Sequence, residues 1–144
     1  MTTAQTTASP GAQTLASLNP RVTHVAYHVS DIDRALAFYV GVLGMKEQMR
    51  LPLGKGVHEV VLGFPESKAG GLILMWNTER SVSYQLGDGY SRIVLSVSDL
   101  DAALSLLAQH ATPVAKAATE AGPFRYALVK DPDGYVVELL QLKR

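Results

Sequence analysis

A carboxylate set inside an apolar strand is the most chemically demanding feature of this 144-residue chain. Glu138 follows Val136 and Val137 and precedes Leu139 and Leu140. Burying an ionised carboxylate among such neighbours is costly unless it is paired, protonated or bound to a cation. Two readings stay open. Glu138 either faces solvent, since successive strand side chains alternate between faces, or it points into a site that uses its charge. The run before it, Asp131-Pro132-Asp133-Gly134, is a tight-turn signature. Pro132 presets φ, the aspartates can bond the turn backbone, and Gly134 tolerates a positive φ. Three strand histidines, His24, His28 and His58, are the other candidates for proton transfer or ligation, and His110, after the second helix, reads as helix C-terminal polarity. Cysteine is absent, which removes disulfides, thiolate ligands and cysteine nucleophiles together.

The elements that must position these groups form a repeat. Residues 22–29 (VTHVAYHV) read as a strand, rich in β-branched and aromatic residues. Ser30, Asp31 and Asp33 offer N-cap chemistry to a helix whose apolar positions are Ala35, Leu36, Phe38, Tyr39, Val42 and Leu43, with Gly44 as its stop. Three strand-like runs follow, Met45–Leu51, Val57–Phe64 and Gly71–Asn77, separated by turn-rich segments 52–56 and 65–70. Residues 23–33 then match residues 91–101 in register, 68 positions later, so that Arg92 repeats His24. A second apolar-periodic helix stops before Pro113, and Val114–Thr119, Phe124–Lys130 and Tyr135–Leu142 close the chain as strands. The expected fold is α+β: two tandem β-α-β-β-β modules (21–78 and 90–143) in one domain, 21–144. They would form a curved mixed sheet with a concave cleft suited to a small molecule. Residues 1–20, rich in Thr, Ala, Gln and Ser, read as a flexible tail ending near Pro20.

Bulk composition narrows the classes. Lys plus Arg and Asp plus Glu each number 13, and no basic run is present, which argues against a nucleic-acid footprint. No apolar run approaches the roughly 18 residues of a membrane span, and no basic segment followed by an apolar block suggests a secretory signal. A cytoplasmic location is the expectation. Phosphate-binding and dinucleotide fingerprints and the nucleophile elbow are all missing.

The paired modules, the stretch DRALAFYVGVLGMK (33–46) and the stretch DPDGYVVELLQ (131–141) together resemble the vicinal oxygen chelate superfamily. That superfamily includes glyoxalase I, fosfomycin-resistance enzymes, methylmalonyl-CoA epimerase, extradiol dioxygenases and bleomycin-binding proteins. The resemblance spans residues 22 to 142. Tyr84-Gln85-Leu86-Gly87 and Glu120-Ala121-Gly122-Pro123 look most like glyoxalase I. It implies a divalent transition metal (Ni, Zn or Fe) held by one ligand on the first strand and one on the last strand of each module. Those positions here are His24, Arg92, Glu138 and one of Ile73, Leu74 and Met75. Only His24 and Glu138 are ligand types, and catalytic metals usually keep three protein ligands. Arg92 cannot substitute, because its guanidinium stays protonated. His28 lies roughly 13 Å along the strand from His24, too far for joint ligation. His58 is the candidate for rebuilding the site; ordinary strand histidines are the other reading of both.

The resemblance also admits metal-free chemistry. Glu138 would act as base, His24 as a second acid or base, and Arg92 as the holder of a carboxylate or oxyanion. Alternatively, Arg92 and Glu138 simply neutralise each other. His58, Trp76, Tyr90 and Phe124 are the expected substrate-lining residues, with Tyr27 and Tyr126 as further aromatic candidates. The implied function is a glyoxalase I-like lyase or isomerase acting on a small oxygenated substrate. A metal-free binding protein of the bleomycin-resistance type is the alternative. A homodimer whose clefts are shared between chains is the expected assembly, with neither nucleic acid nor membrane as partner.

Overall fold

Each module opens with a strand that hands over to a helix through an aspartate. The computed structural model describes residue 11 and residues 13–144. In the first module β1 (His24–His28) leads to α1 (Ile32–Tyr39), then β2 (Lys46–Gly54), β3 (Val57–Gly63) and β4 (Gly71–Asn77). In the second, β5 (Ile93–Ser96) leads to α2 (Leu100–Gln109), then β6 (Val114–Ala121), β7 (Phe124–Lys130) and β8 (Val136–Leu142). Asp31 accepts the N–H of Arg34, and Asp99 accepts the N–H of Ala102. Each carboxylate thus satisfies a first-turn donor that the helix cannot. His110 forms the C-cap of α2.

Two four-stranded mixed sheets result, ordered β1-β4-β3-β2 and β5-β8-β7-β6. In each the first strand runs parallel to the last, and the other pairings are antiparallel. The sheets share no ladder, so β1 and β5 are both edges. The repeat seen in the sequence is therefore a repeat of complete topology. β2 runs further than its sequence suggests, through Pro52 to Gly54. As an edge strand it tolerates a proline that cannot donate. The turn shrinks to Lys55-Gly56, whose φ values of 52° and 73° fit a two-residue hairpin with both residues left-handed.

One face of each sheet is covered by its helix. Ile32, Ala35, Phe38 and Tyr39 of α1 pack with Tyr27, Val60, Leu62, Leu72 and Leu74, all buried. Leu100 and Leu107 of α2 join Ala127, Val129, Val137 and Leu139. The opposite face of each sheet stays open.

The modules are joined by the Asp-Pro-Asp-Gly turn, which reaches back to module one. The Tyr39 hydroxyl donates to Asp131 Oδ2 at 2.7 Å, and the Ser30 N–H donates to Asp133 Oδ1 at 3.1 Å. Arg34 Nη2 donates to the Pro132 carbonyl, and the Tyr135 hydroxyl donates to the His28 carbonyl at 2.6 Å. Asp131 is buried and also accepts the N–H groups of Asp133 and Tyr135 on its Oδ1. Burial pushes its carboxyl above the usual range, against the pull of those hydrogen bonds.

Of the tail expected over residues 1–20, residues 1–10 and 12 lie outside the described residues. Leu15–Leu18 forms a short 3-10 turn with both leucines exposed. Among the described residues no helix is long and apolar enough to cross a membrane.

Candidate functional site

Strand register decides which side chains meet. On β1 and β4, His24 lies opposite Gly71, Ala26 opposite Ile73 and His28 opposite Met75; on β3, Glu59 lies opposite Met75. These residues share the open face of module one. His58 and Trp76 pair with each other and fall on the opposite, helix-covered face, with rings 5.1 Å apart. His58 therefore stands away from His24, contrary to the expectation that it could line the same cleft with Trp76. Period-two alternation separates them once the register is known. Of Ile73, Leu74 and Met75, the first and third share the face of His24, while Leu74 is in the core. His28 stacks on Tyr84 at 4.8 Å, and the Arg80 guanidinium covers that tyrosine at 3.8 Å.

On module two, Glu138 lies opposite Val94 and Leu128, and Tyr126 lies opposite Leu140. Arg92, Glu138, Phe124, Tyr126, Leu128 and Leu140 line a cavity of about 480 Å³. Glu138 is 6% exposed, so the solvent-facing reading of this residue does not hold. Its carboxylate is compensated by Arg92, whose Nε donates to Glu138 Oε2. Arg92 Nη1 donates to Ser91 Oγ at 3.0 Å. The Arg92 side chain remains 45% exposed, and its guanidinium has donors left for a ligand.

Arg92 also borders a larger apolar cavity of about 1060 Å³ between β1 and β5, and His24 lies in its wall. The structure thus brings Arg92 onto Glu138, and brings Arg92 and His24 to one cavity. Tyr90 lines that larger cavity, but its hydroxyl donates to the Val136 carbonyl at 2.8 Å and its ring packs on Tyr27 and Tyr135. Burial pushes its hydroxyl pKa up to about 12. Tyr90 is thus tied into the wall, whereas Phe124 faces the smaller cavity.

Of the positions expected to hold a divalent metal, His24 and Glu138 carry ligand-type side chains. Glu138 is engaged by a guanidinium, which also repels a second cation. Among the described residues no three His, Asp or Glu side chains cluster closely enough to hold an ion. The sequence reading overlooked Lys116, whose Nζ donates to the Tyr126 hydroxyl at 2.7 Å. Its signal lay in strand irregularities that residue types do not reveal.

Comparison with known proteins agrees with this architecture. The lactoylglutathione lyase of Salmonella typhimurium is 35% identical over 130 residues, covering 85% of this chain and 93% of that protein. The probable lactoylglutathione lyase of Vibrio parahaemolyticus is 30% identical over 133 residues, covering 88% and 94%. The solved structure of the trypanothione-dependent glyoxalase I of Leishmania major superposes with a TM-score of 0.74 at 31% identity, covering 85% of this chain and 86% of that one. The family model matches residues 21–139, and the chain belongs to the Glyoxalase/Bleomycin resistance protein/Dioxygenase superfamily.

Proposed function

We propose that this chain is a glyoxalase I-like lyase or isomerase acting on a small oxygenated substrate, with a guanidinium where a metal cation would otherwise act. The observation that carries the reading is the Arg92–Glu138 pair in the smaller cavity. A substrate carbonyl or carboxylate oxygen would take the open donors of Arg92 in a charge-assisted contact. Negative charge developing on that oxygen is then stabilised by a cation already in place. Glu138 Oε2 is engaged by Arg92, and Oε1 is the oxygen that would remove a proton from the carbon next to the carbonyl. On a substrate whose first carbon carries a hydroxyl, the electron pair moves onto the oxygen held by Arg92, the hydroxyl proton passes to that oxygen, and the proton on Glu138 returns at the former carbonyl carbon, leaving a new carbonyl on the first carbon. His24, in the wall of the adjoining cavity, would serve as a second acid or base.

Homology to lactoylglutathione lyases supports this class of reaction. The proposed working form is a homodimer. Its support is the unpaired edges of β1 and β5, with Val25, Val94 and Leu106 exposed around the apolar cavity between them.

One observation favours a second reading, a metal-free small-molecule binder. Glu138 is already neutralised, and Phe124, Leu128 and Leu140 make the cavity largely apolar. Glu138→Gln separates the two. A catalyst loses about 100-fold or more in kcat while calorimetric ligand affinity is retained; unchanged turnover in this variant would sink the catalytic role.

A further inference from the structure

β6 is the least regular strand of its sheet. It pairs with β7 as Val114 to Val129, Lys116 to Leu128 and Thr119 to Tyr126, so it carries an extra residue on each side of Lys116. Bulges of this kind bend a strand and re-aim a side chain. Here they set Lys116 opposite Leu128, which lies opposite Glu138, which lies opposite Val94. The four form one row across the open face of the second sheet. The ammonium of Lys116 is held there, 2.7 Å from the Tyr126 hydroxyl and 5.1 Å from its ring centroid. That contact uses one of its three donors.

Lys116 thus ends the row on one side, and Arg92, two residues before Val94, is bonded to Glu138 within it. Lys116 stands two strand spacings from Glu138, about 10 Å. Leu128, Tyr126, Phe124 and Leu140 line the cavity that Arg92 and Glu138 also line, and Lys116 adjoins it through the Tyr126 hydroxyl. Glu138 cancels one of the two charges, so this face is locally positive although the whole chain is formally neutral.

We propose that Lys116 is a specificity-determining residue and that the cleft takes a small dicarboxylate with an apolar body. One carboxylate meets Arg92 and the other meets Lys116. This rests on the reading of Arg92 as the holder of a substrate oxygen. The second carboxylate is not transformed; its anchorage fixes the orientation of the reacting end over Glu138.

Isothermal calorimetry with adipate and its monomethyl ester tests this on the wild-type chain and on K116M, Y126F and R92M. The wild type should bind adipate about tenfold more tightly than the ester, as a charge-assisted contact predicts. K116M should bring adipate to the level of the ester without changing the ester. Y126F, which keeps the ring but loses the hydroxyl, should give up part of the preference. Equal affinities in the wild type, or equal losses of both ligands in K116M, overturn the role of Lys116. If ester binding still disappears in R92M, the Arg92 reading survives that result. Ester binding indifferent to R92M, or no binding of either ligand by the wild type, overturns both.

Discussion

With Arg92 removed, Glu138 would be left as an unpaired carboxylate in a cavity walled by Phe124, Leu128 and Leu140. Breaking a fully buried pair costs several kcal/mol, but Arg92 is 45% exposed and water screens part of the interaction. R92L should therefore destabilise the fold by about 1–2 kcal/mol in urea titration. Adding E138L should restore most of that loss, because the orphaned charge goes with its partner. The same pair predicts metal content. Protein purified without an affinity tag and incubated with nickel, zinc or iron should hold no stoichiometric metal by mass spectrometry. One equivalent per chain, lost in His24→Ala, would overturn the guanidinium-based site.

At the scale of elements, the Asp-Pro-Asp-Gly turn is a structural joint as well as a chain reversal. Asp131 gives a signed pH prediction. Its folded carboxyl titrates above its unfolded value because burial disfavours the charge. The folded chain therefore binds the proton first as pH falls. The stability of the wild type relative to D131N should rise from neutral pH through the folded pKa, then level off below the unfolded one. A difference that shrinks on acidification would contradict this environment for Asp131. Tyr39→Phe, which leaves that carboxylate one donor short, should cost about 1 kcal/mol by thermal or urea unfolding.

The joint also marks what the sequence could reveal. Asp31 and Asp99 act within three residues of their own positions, and the module repeat lies in plain register, so caps and topology were legible. The partners of Asp131 and Asp133 lie 92 and 103 residues away, where no periodicity points to them. The opposing faces of His24 and His58 depend on β1–β4–β3 register, which residue types do not encode. Glu138 showed itself as an anomaly in an apolar strand. Its pairing with Arg92 was one of two readings the resemblance admitted, and the parallel register of β5 on β8 is what brings the two together.

For the whole molecule, the two unpaired edges make one chain an incomplete unit under the homodimer reading. Val25 and Val94 flank the gap with about half of their surface exposed. Light scattering should give about twice the 15.5 kDa chain mass for the wild type and a single-chain mass for V25E or V94E. Dimers that persist in both variants would place the contact elsewhere. The long reach of the joint has a consequence for synthesis. The ribosome releases β1 and α1 first, yet Tyr39 waits 92 residues for Asp131, and the His28 carbonyl waits 107 for Tyr135. At about 5–20 residues per second, the first module spends several seconds without its joint. Nascent chains stalled before residue 131 should accordingly be far more protease-sensitive in their first 80 residues than chains stalled after the last strand has emerged.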